Sequence, residues 1–303
     1  MIKQPSIEPI IENSSRDKEL GISRKNWIKQ GLKIGLKAIP IFSMLFSKKL
    51  IAQSTSTYNT SDPLANIFLF LYQLSNWQNQ FYQGINSYSS VMGSSYFNAF
   101  QQIQSQESAQ LNSISQILTV NFGIPSSNFP VYSFDYRARV SKTSPGAYED
   151  YQTNSNTFLS LAQLIEDTST RAFLGQMNLM VGSSLLKEYC GLMSIHSRQA
   201  AYIRNLRANQ NIDQVLGSQG ILAVPLKPWV SQEGAIAAGY NLDSSSSNTL
   251  PYVGESDSIQ AQIHLININR NASIDLNIAT ESFDQPLVKS SVLGIINSFL
   301  PLV

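Results

Sequence analysis

The chain is poor in charged residues, histidine and cysteine. Of its 303 residues only 14% are charged, against about 25% in an ordinary globular protein, and it has two histidines and one cysteine. The single cysteine, Cys190, excludes an internal disulfide framework and any CxxC metal site. Motifs of the GxSxG, P-loop, HExxH and dinucleotide-binding kinds are also missing, so the common hydrolases, nucleotide-binding enzymes and zinc proteases have no support.

The small net charge of +1 hides an uneven distribution along the chain. Residues 1–52 hold ten Lys and Arg against four Asp and Glu, which leaves eleven basic and sixteen acidic residues in 53–303. The body of the chain therefore carries a net charge of −5. Because binding to a phosphate backbone needs an excess of basic residues, we expect no nucleic-acid partner.

The basic N-terminal region, residues 1–53, has the order of an export signal. The run "SRKNWIKQGLKIGLKAIPIFSMLFSKKLIAQ" (23–53) contains seven basic residues and no acid, with a modest apolar stretch at 31–46 and small or polar residues after it. Its first part resembles the twin-arginine export motif, with Arg24-Lys25 in place of two arginines. We predict an exported protein of the periplasm or cell envelope, with residues 54–61 as a linker.

Two other interpretations of this region stay open. The apolar stretch is too short, and too interrupted by lysines, to predict a transmembrane helix. An uncleaved helix lying on a membrane surface would place Lys29, Lys33 and Lys37 on one side and apolar residues on the other. An ordinary basic tail is the third interpretation.

Residues 62–208 show four amphipathic helical patterns. The first opens with Asp62 as N-cap and Pro63 at the first helical position, and the others cover roughly 95–119, 154–181 and 184–208. The last two are separated by the short turn "VGSS", whereas the second and third are separated by a connection of more than thirty residues. Two hairpins joined by one long crossover are typical of the ferritin-like four-helix bundle, so we predict an all-α fold of that kind.

The C-terminal extension, residues 209–303, has no sustained helical period. Its first half is rich in Gly, Ser and Pro. The stretch "QIHLININRNASIDLNI" (262–278) alternates partly in the manner of a strand. The stretch "VLGIINSFL" (292–300) predicts a short closing helix. We therefore expect an irregular extension with some strand.

Three ionisable residues lie on the apolar stripes of separate predicted helices. Glu107 is the only Asp, Glu, Lys, Arg or His between Leu64 and Asn121, and Glu166 and His196 lie on the stripes of the third and fourth helices. A buried carboxylate must be protonated, paired or bound to a metal. The interpretations without metal are three pairings: Glu107 with Gln78, Gln104 or Gln110, Glu166 with Arg171 or Arg198, and His196 with a backbone carbonyl or with Tyr82.

Several short runs resemble bacterial ferritin-like proteins related to the plant desiccation-related proteins. The most specific are "IEDTSTRAFLG" (165–175) and "HSRQAAYIR" (196–204), supported by "LSNWQNQFY" (74–82), "QESAQ" (106–110) and "FDY" (134–136). The resemblance covers roughly residues 60–210 and reappears at 281–300. It implies a four-helix bundle whose core holds two metal ions, bound by two glutamates and two Glu-x-x-His pairs.

Matched position by position, the resemblance places those six ligands at Ser75, Glu107, Gln110, Glu166, His196 and Gln199. Only the two glutamates keep the residue type, and serine and glutamine are poor ligands beside carboxylate and imidazole. We therefore expect a degenerate di-metal site. In the arrangement that the resemblance implies, the two carboxylates and the histidine all surround the position of the same one of the two ions. There they would suit a single Fe(II) or Mn(II).

Two functions follow from this pattern. The first is an exported bundle that has lost its di-iron site, is not an enzyme, needs no cofactor, and acts as a structural or interaction protein with a ferritin-like paralogue or a second copy of itself. The alternative is a mononuclear iron or manganese protein that uses Glu107, Glu166 and His196 for redox chemistry or metal sequestration. The alternative requires the three side chains to converge on one point.

Overall fold

The computed structural model of the chain describes residues 62–89, 93–129, 132–139, 143, 145–209, 214–217, 220–223, 252, 259–260, 263–265 and 284–301. The predicted export signal, residues 1–53, and the predicted linker, residues 54–61, lie outside the described residues. The predictions for these segments therefore stay predictions.

Four long helices form the body of the fold: α1 (Pro63–Gln83), α2 (Ser94–Gln116), α3 (Ser155–Met180) and α4 (Leu186–Asn209). The Asp62 side chain caps α1 by accepting a hydrogen bond from the Leu64 amide at 2.8 Å, and Pro63 occupies the first turn as predicted. Asn154 caps α3 in the same way, accepting from the amides of Asn156 and Thr157. These caps satisfy amides that have no partner within the helix.

The helices pack as two hairpins, α1 with α2 and α3 with α4. A short 3-10 turn, Gly84–Tyr88, follows α1, and the connection between α3 and α4 is a few residues long. Between α2 and α3 the chain makes the long crossover, which begins with a π-helical turn at Ile117–Asn121. The all-α, ferritin-like bundle with a long crossover between helices two and three is confirmed, with helix bounds within a few residues of those predicted.

The core is continuous along the bundle and unusually aromatic. Phe81 of α1 lies at its centre, with ring centroids 5.0 Å from Phe158 of α3 and 5.2 Å from Tyr136 of the crossover. The Tyr136 hydroxyl donates to the Trp77 carbonyl at 2.5 Å, which fixes the crossover against α1. Aromatic side chains bury large areas with few rotamers to restrict, so they order the long connection effectively.

The end of the C-terminal extension packs onto the bundle. Its helix α5 (Lys289–Asn297) buries Val292, Ile295 and Ile296, and starts three residues before the predicted closing helix. The Phe299 ring lies 5.2 Å from the Trp77 ring. This segment therefore belongs to the same hydrophobic core as the four helices.

Two short hairpins are described in the rest of the extension. One pairs β1 (Gln214–Gly217) with β2 (Gly220–Ala223), and the other pairs β3 (Ile259–Gln260) with β4 (Ile263–His264), both antiparallel. The first lies in a stretch expected to be irregular, because its Gly and Ser content obscured the strand pattern. Of the predicted strand-like stretch 262–278, the described residues show strand only at its start. Among the described helices, none has the length and hydropathy needed to span a membrane.

A candidate metal centre

The three predicted ligands meet at one point in the bundle interior. Glu107 of α2, Glu166 of α3 and His196 of α4 are completely buried, and one ligand atom from each lies within 4.8 Å of the other two. His196 Nδ1 is 3.3 Å from Glu166 Oε2 and 3.8 Å from Glu107 Oε1. The convergence required by the mononuclear hypothesis is therefore present.

Helix α1 supplies two further side chains to the site. The Tyr82 hydroxyl donates to Glu166 Oε1 at 2.8 Å, and the Gln78 amide donates to Glu166 Oε2 at 3.3 Å. The same Gln78 amide nitrogen lies 3.1 Å from His196 Nδ1. The interpretations without metal assigned Gln78 to Glu107 and Tyr82 to His196. Helix periodicity gives the face of a residue and not its partner across the core, so only the structure identifies Glu166 as their shared acceptor.

Glu107 is held by its own helix. The Gln110 amide, one turn further along α2, donates to Glu107 Oε1 at 2.9 Å, as the interpretation without metal proposed. Glu107 Oε2 has no hydrogen-bond partner within the described part of the chain. A buried carboxyl oxygen without a donor is costly, and a bound cation or an ordered water would satisfy it.

Burial is the largest cause of the pKa shifts of the three ligand-type residues. It raises the pKa of both Glu107 and Glu166 from 4.5 to about 8, and in Glu107 the neighbouring His196 opposes that rise. Burial also lowers the pKa of His196, against the charge of Glu107. At neutral pH these shifts favour a site without metal that is close to neutral, with both carboxyls mostly protonated. A cation that enters must displace those protons.

The arginines suggested by the sequence do not pair with Glu166. Arg171 Nε donates to the Gln285 carbonyl in the C-terminal segment at 2.7 Å. Glu166 accepts hydrogen bonds from Tyr82 and Gln78, and its Oε2 also lies 3.3 Å from His196 Nδ1. The interpretation that paired Glu166 with Arg171 is wrong, because Arg171 points to the outer side of α3, where the C-terminal segment packs.

The remaining three of the six positions present neutral groups. Ser75, Gln110 and Gln199 are all buried, and the Gln199 amide donates to Gln106 Oε1 at 3.1 Å. Ser75 Oγ and the Oε1 atoms of Gln110 and Gln199 have no partner among the described residues. Two divalent ions would bring four positive charges to a site with at most two negative ones, so this side-chain set does not fit a dinuclear centre.

The same side chains fit one ion. Ligand atoms about 2.1 Å from one metal can be no more than about 4.2 Å apart. The 4.8 Å limit observed here is therefore within a small side-chain rotation of a coordinating triad. Two carboxylates would balance one divalent charge, and carboxylate with imidazole suits Fe(II) or Mn(II).

Comparison with known protein families agrees with this architecture. Residues 64–209, which span α1 to α4 and every residue of the site, match the family model described as a ferritin-like domain. The match and the bundle with its long crossover agree, so residues 64–209 have the ferritin-like fold. No curated protein and no solved structure matches the chain. Tyr252 and the segment 284–301, which pack against the ferritin-like domain, lie beyond the matched residues.

Proposed function

We propose that the ferritin-like domain binds one divalent iron or manganese ion through Glu107, Glu166 and His196, in place of the pair of ions that the family resemblance implies. The observation that carries this proposal is the convergence of one ligand atom from each of three helices within 4.8 Å. The neutral groups at Ser75, Gln110 and Gln199 support one ion over two, since they leave no charge for the second.

The surrounding side chains prepare the ligands for the ion. Tyr82 and Gln78 each donate to Glu166 and so fix its carboxyl group, and Gln110 does the same for Glu107. Such hydrogen bonds orient metal ligands and raise affinity. When bound, iron or manganese would supply one-electron redox chemistry. The complete burial of the ligands would keep bulk water away from it.

The two histidines of the chain provide a matched test. We expect the full chain, purified without chelators, to contain about one equivalent of iron or manganese by elemental analysis. His196→Gln should lose most of it. His264→Gln should keep it, because His264 is exposed in β4, outside the ferritin-like domain. A metal content equal in all three proteins would refute the assignment, as would a folded wild-type protein that stays metal-free after incubation with Fe(II) and with Mn(II).

The other predicted function, a structural or interaction protein without a cofactor, stays a prediction. So do its candidate partners, a ferritin-like paralogue or a second copy of the chain. Metal-free, folded wild-type protein in the experiment above would favour this function.

A further inference from the structure

A second buried polar cluster lies beside the candidate metal centre, and it includes a residue from the C-terminal extension. Asp167 follows Glu166 in α3, so its side chain is turned by about 100° around the helix, away from the metal ligands. Asp167, Arg204 of α4 and Tyr252 are each at most 1% exposed. Charged groups buried to this degree need good geometry and full hydrogen bonding to be tolerated.

The contacts within this cluster are short and directional. The Arg204 guanidinium donates two hydrogen bonds to the Asp167 carboxylate, one from Nε to Oδ1 at 2.9 Å and one from a second nitrogen to Oδ2. The Tyr252 hydroxyl donates to the same Oδ2 at 2.6 Å. That hydroxyl also accepts from the Gln163 amide at 3.2 Å, and Arg207 in turn donates to Gln163. The Asp167 carboxylate is thus held from two elements at once.

These contacts link α3 to α4 at two successive positions. Gln163 contacts Arg207 at one position and Asp167 contacts Arg204 at the next, and the Tyr252 hydroxyl is hydrogen-bonded to both Gln163 and Asp167. The two contacts set the position of α3 along α4, and with it the position of Glu166 relative to His196. Metal ligands must be held to within about 0.5 Å of the productive geometry, so a link that sets this register bears on the site.

We propose that Tyr252 is a positioning residue of the metal centre. A residue of the C-terminal extension would then support a site that lies within the four-helix bundle. Its hydroxyl completes the cluster that holds Asp167, and through Asp167 it sets where Glu166 meets His196. This inference rests on the proposed function, because it concerns the same site. It assigns a role to a residue outside the region that matches the ferritin-like family model.

Tyr252→Phe in the full chain tests the proposal, with Co(II) as the spectroscopic probe ion. We expect affinity for Co(II) to fall several-fold, less than the ten- to hundredfold typical of losing a hydrogen bond made directly to a metal ligand, because Tyr252 acts through Asp167. We also expect the visible absorption of the bound Co(II) to change at saturation. That second readout reports ligand geometry, which a loss of overall stability would leave unchanged.

Tyr189→Phe is the matched control. Tyr189 is buried on α4, and its hydroxyl donates to the Phe173 carbonyl of α3, so the variant removes a hydrogen bond between the same two helices. It leaves the Asp167 cluster intact, and we expect wild-type affinity and spectrum. If Tyr252→Phe does not fold, Arg204→Lys replaces it, because lysine keeps the charge and loses the two-pronged contact.

The outcomes separate the two proposals. Wild-type protein that fails to bind Co(II) overturns the proposed metal site, and the positioning role with it. Wild-type protein that binds, with Tyr252→Phe matching it in affinity and spectrum, overturns the positioning role alone. A Tyr189→Phe variant that changes as much as Tyr252→Phe overturns it too, because the effect would then be one of helix packing in general.

Discussion

At the scale of single residues, the candidate site contains two completely buried carboxyl groups. Glu107 and Glu166 both have pKa values raised by burial to about 8, so in the folded metal-free protein they bind protons that the unfolded chain releases near pH 4.5. A raised folded-state pKa gives a stabilising contribution that is fully present below the unfolded pKa and is lost as the pH rises through the folded one.

We therefore expect the metal-free protein to lose stability between about pH 5 and pH 8.5. Urea unfolding in the presence of a chelator should show the free energy of unfolding falling across that window. The double variant Glu107→Gln, Glu166→Gln cannot ionise there and should show a much flatter dependence. The same slope in wild type and variant would mean that other groups are responsible. His196 acts in the opposite direction on the acid side, because its pKa is lowered.

The affinity for metal should depend on pH in the opposite sense from the stability of the metal-free protein. Since an ion must displace protons from the two glutamates, its affinity should increase as the pH rises from 6 to 8. Titrating Mn(II) into the apo-protein at these two pH values measures the effect directly. An affinity that is equal at both would show that the ion binds without deprotonating Glu107 and Glu166.

The three ligand-type residues of the site were predictable from the sequence, and their partners were not. Glu107 and His196 stood out because charge on an apolar stripe needs a reason, and Glu166 lies on the same kind of stripe. Asp167, Arg204 and Tyr252 gave no such signal. Asp167 and Arg204 lie in the recognisable runs at 165–175 and 196–204, but Tyr252 lies some fifty residues further on. Its contact with α3 depends on how the extension folds back.

At the scale of helices and strands, the fit between α3 and the C-terminal segment depends on one glycine. The Leu287 amide donates to the Arg171 carbonyl at 3.0 Å, which brings the segment's backbone against the helix. A Cβ atom on Gly175 would lie 1.9 Å from the Leu287 carbonyl oxygen, a distance that no packing tolerates. Glycine within a long helix is otherwise unfavourable, so its presence here has a packing reason.

Gly175→Ala should displace the C-terminal segment from α3 in spite of the better helix propensity of alanine. Overpacking of this kind costs about 1–3 kcal/mol, measurable as a lower urea midpoint. Hydrogen exchange should increase at the Leu287 amide, while the amides of α1 and α2 keep their protection. Val288→Ala, at a neighbouring exposed position, is the control and should change neither. A stabilised Gly175→Ala protein would contradict the close approach.

The helices were predictable because their apolar periodicity runs over twenty or more residues, with Asp62 and Pro63 marking the first boundary. The hairpin of β1 and β2 was not, since strands of four residues among Gly and Ser show no clear alternation. The closing helix was predicted from its apolar run and was found three residues earlier. The start of a short helix can shift by a few residues because local packing sets it as much as sequence does.

At the scale of the whole molecule, the export prediction concerns residues 1–53. We expect a fusion of this region to a reporter protein to carry the reporter out of the bacterial cytoplasm and to be cleaved near Ala52–Gln53, which mass spectrometry would locate. Replacing Arg24 and Lys25 together with glutamine should block this, because that pair resembles the twin-arginine motif. Replacing Lys48 and Lys49 is the matched control. A reporter that stays uncleaved in the cytoplasm would refute the prediction.

The molecule as a whole combines a recognisable ferritin-like domain with an extension that contributes to its interior. The fold and three ligand-type residues follow from helix periodicity and short motifs within residues 62–208. The contribution of the extension follows from none of them, because a single tyrosine and a backbone contact at Gly175 carry no periodic signal. The buried core of the molecule therefore contains side chains from α1, α2, α3, α4 and the described part of the extension.

The most direct test of the central claim is anomalous X-ray diffraction from crystals of the full chain grown with Mn(II). We predict one anomalous peak in the bundle interior, within coordination distance of Glu107, Glu166 and His196. Two peaks between the helices would contradict the mononuclear assignment, and no peak at this position at saturating Mn(II) would contradict the metal centre itself.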